Sequence, residues 1–285
     1  MDRQPFFSVI TITYNAEKKI RHTIEMVFTQ SCKDYEYILI DGASTDSTGD
    51  IIESYKGEFE KNKIDYRFIS EKDNGIYDAM NKGIRMARGK WIGFMNAGDY
   101  YWDKMVLEKV KLFAQNNDNT DVIYGDTMVY KSNGLTRLEK ARPIDSIIDD
   151  IPFCHQSSFV KNVLMTEHPF NLKYRIGADY DFFVFCYMNN KSFRYFQEII
   201  SIYEFEGLSM CETSEIDLLR ERIESRRQRN LISEEQYYKE IEALRKYRLR
   251  KEIKRIIKRV MPSLLLEKRL YKKNIRDGWN TELKI

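Results

Sequence analysis

Short runs of apolar and β-branched residues recur along the first half of the chain, and each has the length of a buried strand. They cover 7–13, 37–40, 66–69, 91–95 and 122–124. Between them, apolar residues return every three or four positions, which is the spacing of a helix that covers one face of a sheet. The helical stretches start near 20, 51, 76 and 106. This alternation of strand and helix predicts a parallel, doubly wound sheet.

The middle of the chain has a looser pattern. Strand-like pieces lie near 127–130 and 157–160, and a helix-like stretch covers 180–188. We expect them to extend the sheet and to supply the second wall of a cleft.

The last quarter of the chain is composed mainly of helix formers. They run from 214 to about 270, and Ser233 opens a Ser-Glu-Glu-Gln sequence with the form of a capping box. We therefore expect an α/β domain over 1–212 and a helical extension over 213–285.

Composition narrows the class of protein. Apolar residues make up 42% of the sequence and aromatic residues 13%, enough for a sizeable core. The four cysteines are scattered, which favours neither a disulfide framework nor a zinc ribbon and indicates a reducing cytoplasm. The N-terminus lacks the form of a signal peptide, and no apolar run reaches the roughly 18 residues of a transmembrane helix.

The net charge of +3 conceals a strong asymmetry. The segment 245–276 contains 14 Lys or Arg and two acidic residues, so the rest of the chain is acidic. The chain therefore has an acidic main part and a basic C-terminal segment, which we call the basic tail.

Polar residues follow the predicted strands directly. Residues 13–15 follow the first strand, Asp41 the second, and 96–99 the fourth. Ligands bind beyond the carboxyl ends of the strands in parallel sheets, so these side chains are candidates for a binding site. Asp41 is placed to accept hydrogen bonds from a base or a ribose, whereas Ser44 and Asp46 are interpreted as helix caps.

The ends of the third and fourth strands allow two interpretations each. Asp73, Asp78, Asn81 and Lys82 surround a glycine turn, and either bind a ligand or form a turn and a helix cap. Asp99 either holds a hard cation that also binds phosphate or caps the helix that begins near Asp103.

Four motifs in order resemble those of family 2 glycosyltransferases with the GT-A fold. They are VITITYN, LIDGASTDST, DNGIYDAMNKGIRMARGKWIGFMNAGD and YGD, within roughly 6–205. The resemblance implies a mixed sheet flanked by helices, with a nucleotide-binding half over 1–100 and an acceptor half over 101–212. It is strongest to bacterial enzymes of capsule, O-antigen and exopolysaccharide assembly.

The resemblance also implies roles for individual residues. Asp99 would hold a divalent metal, Mn²⁺ or Mg²⁺, and Asp179 in the segment YRIGADYDFF would be the catalytic base. Asp181 next to it, together with His155 and Gln156, would lie on the acceptor and diphosphate side. A lone histidine next to a glutamine and two serines is more often a structural residue, and this is the favoured interpretation of His155. The nucleotide-sugar would be bound by Thr13, Tyr14, Asn15, Asp41, Asp73, Asn81, Lys82, Asn96 and Ala97.

The sequence departs from the family pattern at three points. Gly42 stands where a second acid is usual after the second strand, and Gly98 replaces the middle acid of the metal element. Weak metal affinity is therefore expected. The Gln-x-x-Arg-Trp signature of processive members is absent, which predicts transfer of one sugar per acceptor.

The implied activity is inverting transfer from a UDP-sugar to a lipid-linked oligosaccharide, by a hexosyl- or N-acetylhexosaminyltransferase. A sugar nucleotidyltransferase and a non-catalytic nucleotide-sugar-binding subunit are the alternatives. The first would normally have a glycine-rich phosphate loop after its first strand, where this sequence has TYNAEKKI.

The basic tail has three possible partners. From Ile253 its apolar residues follow helical spacing, with basic residues on the other faces. Such a helix suits the anionic inner face of the cell membrane and would make the protein a peripheral membrane protein in the cytoplasm. Packing on the main domain or on a second copy, as in a homodimer, is the alternative. Nucleic acid is not expected, because no recognition motif accompanies the charge.

Overall fold

The computed structural model describes residues 4–131, 133–204, 212–260, 273 and 276–279. Side chains are described for all of these except 212–214 and 254–260.

The first half of the chain forms the parallel part of one mixed sheet. Its strands are β1 (Phe7–Thr13), β2 (Tyr35–Asp41), β3 (Tyr66–Ser70) and β4 (Trp91–Phe94). They lie in the order β3-β2-β1-β4, and every neighbouring pair is parallel. All residues of β1 and β2 are buried, as expected for central strands covered on both faces.

The predicted helices follow these strands. They are α1 (Ile20–Phe28), α2 (Thr48–Ser54), α3 (Lys56–Lys61), α4 (Ile76–Met86) and α5 (Val106–Gln115). The single helix expected from 51 is two helices that meet at Tyr55. Helix α4 lies so close to β1 that only a glycine fits at position 83. A Cβ on Gly83 would be only 2.5 Å from Ile10 Cγ2.

The second half extends the sheet with antiparallel strands. They are β5 (Tyr100–Tyr101), β6 (Val122–Tyr130), β7 (Thr136–Glu139), β8 (Ser158–Lys161) and β9 (Phe193–Glu204). The order continues from β4 through β8, β6 and β9 to β5, and β7 pairs with β6. The pieces expected at 122–124 and 127–130 are one strand, and β9 was not predicted. This mixed sheet flanked by helices is the α/β architecture expected from the sequence.

Strand β8 joins the two parts of the sheet by pairing antiparallel to both β4 and β6. Gly93 of β4 makes room for Phe159 of β8, since a Cβ there would lie 2.6 Å from Phe159 Cε1. The 3-10 helix His155–Ser157 precedes β8 directly, so this pairing carries His155 and Gln156 to the carboxyl end of β4. Helices α6 (Asn162–Glu167) and α7 (Ala178–Met188) and a 3-10 helix (Ile144–Ile148) complete this part.

The chain divides into two compact units. The first contains residues 1–128 and 138–204, and the second contains 129–137 and 205–285. The described part of the first unit contains all the candidate site residues.

The second unit contains α8 (Glu212–Gln228) and α9 (Glu234–Val260). Arg226 pairs with Glu240 near the connection and Glu215 with Lys251 at the far ends, so the two helices are antiparallel. The capping box at the start of α9 is confirmed: Gln236 N donates to Ser233 Oγ at 3.1 Å, and Ser233 N to Gln236 Oε1 at 3.0 Å. The basic face expected after Ile253 lies outside the described side chains. No helix within the described ranges is long and apolar enough to cross a membrane.

Candidate active site

The loops after β1 and β2 are joined by hydrogen bonds. Asn15 has a φ of 47°. Its N–H donates to Ser44 Oγ at 2.8 Å, and its Oδ1 accepts from Thr45 N at 2.9 Å. Asn15 therefore fixes the relative position of the two loops with its own polar atoms.

Asp41 ends β2 opposite Thr13 of β1 and is buried. Its carboxylate accepts from Ser44 N at 2.9 Å, from Ser70 Oγ at 2.6 Å and from Ser44 Oγ. Thr13 Oγ1 is buried and has no hydrogen-bond partner within the described ranges. The carboxylate holds the ends of β2 and β3 together. The Thr13 hydroxyl is free for a ligand.

Asp73 fills the space that the missing acid at position 42 leaves. A Cβ on Gly42 would lie 2.6 Å from Asp73 Oδ2 and 3.4 Å from Tyr14 Cδ2. The Asp73 carboxylate is held by Gly75 N, which donates to Oδ1 at 2.9 Å. Tyr14 is 63% exposed, although its ring lies beside this carboxylate at the sheet edge. An exposed aromatic ring can stack on a nucleobase, and a neighbouring carboxylate can accept a hydrogen bond from the N–H of that base.

Asn81 and Lys82, two predicted nucleotide-sugar ligands, have hydrogen-bond partners within the fold. Asn81 Nδ2 donates to Phe170 O at 2.8 Å and its Oδ1 accepts from Phe170 N at 2.9 Å. Lys82 Nζ lies 2.9 Å from Glu71 and donates to Lys72 O at 2.7 Å. Their polar atoms hold neighbouring loops in place.

The turn after β4 places the proposed metal element at the sheet edge. Ala97 N donates to Ile12 O at 3.1 Å, which anchors the turn to β1 through its backbone. Gly98 has a φ of 102°, and its N–H donates to Thr23 Oγ1 at 3.0 Å. An L-residue is strained at this φ, so the absence of the middle acid matches the conformation of the turn.

Asp99 ends this turn as a buried carboxyl group, only 6% exposed. Gln156 Nε2 donates to its Oδ2 at 2.9 Å. Burial raises the pKa of Asp99 to about 7; the Gln156 hydrogen bond opposes this, Glu204 adds to it, and Lys19 opposes it. Lys19 and Glu204 form an ion pair beside Gly98.

Asp99 can hold a metal only with help from the substrate. The part of the chain that the structure describes contains no group of three or more His, Cys, Asp or Glu residues that could bind an ion. Mg²⁺ is commonly held by one or two carboxylates together with substrate phosphates, and Asp99 Oδ1 accepts no hydrogen bond from the described residues. The donor set therefore fits a metal that arrives with a diphosphate.

Asp179, the predicted base, lies in the first turn of α7. Its Oδ1 accepts from Tyr180 N at 2.8 Å and lies 2.9 Å from the Tyr77 hydroxyl. Its Oδ2 lies 3.5 Å from His155 Nδ1. Asp181, two residues further along α7, is buried.

His155 connects Asp179, the predicted base, to the turn after β4. Its Nε2 lies 3.4 Å from Asn96 Nδ2, which can only donate, while Nδ1 faces the Asp179 carboxylate. Both contacts are satisfied by a neutral imidazole with its proton on Nδ1. Burial lowers the pKa of His155 more than the charge of Asp179 raises it, which favours this neutral form.

Two consecutive residues, His155 and Gln156, thus connect the two predicted functional carboxylates. Gln156 contacts Asp99, and its Oε1 lies 2.6 Å from Cys154 Sγ, which fixes the orientation of the amide. Asn96 Oδ1 is buried and without a hydrogen-bond partner among the described residues. An unpaired acceptor between the metal element and the base is suited to a hydroxyl group of a bound sugar or ribose.

Three residues with a direct contact to this site were missed by sequence reasoning. They are Tyr77, Lys19 and Glu204. Tyr77 lies within a recognised motif but fits the apolar side of α4 equally well. Lys19 and Glu204 are 185 residues apart, and no local signal connects them.

Comparison with known proteins identifies the family. The profile described as Glycosyl transferase family 2 matches residues 8–183. A PGL/p-HBAD biosynthesis glycosyltransferase of Mycobacterium tuberculosis is 34% identical over 208 residues, covering 72% of this chain and 79% of the relative. The putative teichuronic acid biosynthesis glycosyltransferase TuaG of Bacillus subtilis is 38% identical over 109 residues, covering 37% of this chain and 40% of TuaG.

Solved structures share the fold at low sequence identity. S. aureus TarS 1–349 in complex with UDP has a TM-score of 0.58 at 19% identity; the match covers 77% of this chain and 64% of that chain. The mannosyltransferase PcManGT of Pyrobaculum calidifontis, solved with GDP-Man and Mn²⁺, has a TM-score of 0.60 at 16% identity, covering 82% and 66%. The match to the family profile over most of the α/β domain, and the mycobacterial relative, show that this chain belongs to glycosyl transferase family 2.

Proposed function

We propose that the protein is an inverting, non-processive glycosyltransferase that moves one sugar from a UDP-sugar to a lipid-linked oligosaccharide in cell-surface polysaccharide synthesis. One observation carries the proposal. Asp99 and Asp179, from opposite halves of the α/β domain, are connected through Gln156 and His155 at the carboxyl end of β4. Such an arrangement suits a donor diphosphate at one end and an acceptor hydroxyl at the other.

The nucleotide would occupy the edge formed by β1, β2 and β3. Tyr14 offers an exposed ring for the base, Asp73 offers an acceptor for its N–H, and Thr13 offers an unpaired hydroxyl. TarS was solved in complex with UDP and, in another structure, with UDP-GlcNAc, whereas PcManGT was solved with GDP-Man; a uridine nucleotide is the donor that we propose. The choice between a hexose and an N-acetylhexosamine rests on contacts to the sugar and is part of the test below.

Asp179 would act as the general base. Its carboxylate removes the proton from the acceptor hydroxyl while that oxygen attacks the anomeric carbon. The bond from this carbon to the diphosphate breaks on the opposite side, which inverts the configuration. Asp179 then carries the proton, and the nucleoside diphosphate leaves with the electron pair.

Asp99 would hold Mn²⁺ or Mg²⁺ together with the donor diphosphate. When bound, the metal supplies positive charge that stabilises the leaving diphosphate. Asp99 must be ionised to bind a cation, so its pKa of about 7 predicts weak metal binding below neutral pH. Lys19 lies beside Gly98 in an ion pair with Glu204 and would attract the diphosphate electrostatically.

The names of the relatives and the charge of the tail support the proposed acceptor. The relatives are named for PGL/p-HBAD biosynthesis and for teichuronic acid biosynthesis. The basic segment 245–276 would hold the protein at the anionic inner face of the membrane, where a lipid-linked acceptor lies. Association as a homodimer through this extension is compatible with the same charge distribution.

A hydrolysis assay tests the catalytic assignment without knowledge of the acceptor. Wild type, Asp99→Asn and Asp179→Asn are incubated with a panel of UDP-sugars and Mn²⁺, and released UDP is measured. Asp121→Asn is the matched control, because Asp121 is a partly buried carboxylate that holds Ser192 rather than the site. We expect UDP release by wild type and the control, and at least about a hundredfold loss in both site variants.

Two results would reject the proposal. Equal rates in all four proteins would remove the roles of both carboxylates. Tight UDP binding by calorimetry without turnover on any sugar or acceptor extract would instead indicate a non-catalytic binding subunit.

A further inference from the structure

The Asp179 carboxylate is held from two sides by side chains of different elements. The hydroxyl of Tyr77, on α4, lies 2.9 Å from Oδ1, and His155 Nδ1 lies 3.5 Å from Oδ2. Tyr77 and Asp179 are 102 residues apart in sequence, so their contact exists only in the folded chain. The Tyr77 side chain is buried, which limits competition from water for its hydroxyl proton.

The Tyr77 hydroxyl has a second acceptor within reach. The carbonyl oxygen of Ile176 lies 2.6 Å from it. A phenol has one proton, so it can donate fully to only one of the two oxygens at a time. An ionised carboxylate is the stronger acceptor, whereas a protonated carboxyl group is weaker than the peptide carbonyl. The hydroxyl proton therefore points to Asp179 when the carboxylate is ionised and to Ile176 when it is protonated.

We propose that Tyr77 is a positioning residue for the base: it donates to ionised Asp179 before the reaction and turns to the Ile176 carbonyl once Asp179 has accepted the proton. This inference rests on the proposed function of Asp179. Tyr77 would fix the carboxylate so that Oδ2 faces the acceptor hydroxyl. The second acceptor means that Tyr77 keeps a hydrogen bond in both protonation states.

The proposal predicts a change in the acidity of Asp179. Besides the Tyr180 N–H of its own helix, the groups that face its carboxylate in the described structure are Tyr77 from α4, and His155 and the neighbouring Cys154 from the loop before β8. His155 stays neutral and Cys154 stays a thiol near neutral pH, because burial lowers the pKa of His155 and raises that of Cys154. Tyr77→Phe removes a donor to the ionised form, so Asp179 should protonate at higher pH.

Tyr35→Phe is a matched control for Tyr77→Phe. Tyr35 is also buried, and its hydroxyl donates to a helix carbonyl, Val27 O, at 3.0 Å, away from the site. Each substitution removes one phenolic hydroxyl that is bonded to the backbone. A merely structural role for Tyr77 would therefore give the same result in both variants.

The first readout does not depend on turnover. With ¹³C-labelled aspartate, the Asp179 carboxyl resonance is identified by its absence in Asp179→Asn and titrated in each variant. We expect the midpoint to rise by about half a pH unit or more in Tyr77→Phe and to stay at the wild-type value in Tyr35→Phe. An unchanged midpoint in Tyr77→Phe would overturn the proposal.

The second readout is UDP release as a function of pH. In Tyr77→Phe we expect kcat to fall about tenfold, KM for the donor to stay within about twofold, and the acidic limb to move to higher pH. Wild-type kcat in Tyr77→Phe, with Asp179→Asn inactive, would reject the positioning role and leave the proposed function intact. Full activity in Asp179→Asn would reject the base itself, and the titration would still decide whether Tyr77 acts on this carboxylate.

Discussion

Replacing Asp99 by Asn should stabilise the protein above neutral pH while abolishing its activity. Asp99 carries a buried carboxyl group, and burial is the main cause that raises its pKa from 3.8 to about 7. An asparagine keeps an oxygen for the Gln156 hydrogen bond and has no charge to bury. The stability gained in this way measures the cost that the folded protein incurs for keeping an ionisable group at this position.

The magnitude follows from the difference in pKa between the folded and unfolded states. A raised pKa in the folded state means that the native protein binds more protons between about pH 4 and 7, so wild type loses stability as the pH rises through this interval. The loss is about 1.4 kcal/mol for each pH unit, which gives an upper limit of about 4 kcal/mol. We therefore expect Asp99→Asn to exceed wild type by about 2 to 4 kcal/mol in free energy of unfolding at pH 8, and by much less at pH 4.

Urea denaturation of both proteins from pH 4 to 8, in the presence of a chelator, measures this difference. The control is Asp121→Asn. Burial raises the pKa of Asp121, but the hydrogen bonds from Ser192 and the charge of Lys161 outweigh it and hold the pKa below its usual value. Asp121 thus stabilises the fold above about pH 4, so its amide variant should be less stable than wild type at pH 8.

The reasoning is refuted if Asp99→Asn and wild type unfold with the same free energy at pH 8, or if the difference between them does not grow with pH. Adding Mn²⁺ and UDP supplies a further comparison. The ligands bind only the native protein and need the ionised carboxylate, so they should stabilise wild type more than the variant. Equal stabilisation of both would argue against Asp99 as the metal ligand.

Three further substitutions test the site and the fold. Gly42→Ala should displace the Asp73 carboxylate and weaken UDP binding about tenfold. A wild-type Kd measured by calorimetry would contradict the proposal that the nucleobase binds beside Asp73. Gly93→Ala should cost about 1 to 3 kcal/mol in free energy of unfolding because its Cβ overlaps the ring of Phe159, and an unchanged urea midpoint would show that β8 does not pack against β4 as described. Ser233→Ala should remove the cap of α9 and lower the free energy of unfolding by about 1 kcal/mol, whereas Ser233→Asp, which keeps a capping oxygen, should not.

Local patterns were sufficient for the parallel half of the sheet. The strand expected at 7–13 has those bounds in β1, and α1 and α4 begin at the predicted apolar residues Ile20 and Ile76. These elements are buried along their whole length or along one face, so the period of their apolar residues records their conformation directly. The prediction of a single helix from 51 was wrong, because the apolar spacing continues across Tyr55 although the backbone starts a second helix there.

The antiparallel half was less predictable. Strand β9 is twelve residues long, and its burial changes irregularly between its two ends. Neither the period of a half-buried strand nor a continuous apolar run identifies it. Its position depends on pairing with β5 and on its place beside β6, which are far from it in sequence.

The sequence by itself determined which residues end the parallel strands, and with them Asp41 and Asp99, because strand period and chain direction are local properties. Only the tertiary structure decided what these groups contact. In the folded protein, Asn81 is hydrogen-bonded to the backbone of Phe170, and the Tyr77 hydroxyl contacts Asp179. The pairing of β8 with β4 brings His155 and Gln156 to the end of β4. Contacts of this kind depend on the register and packing of distant segments, and the periodicity of any one segment contains no information about its partner.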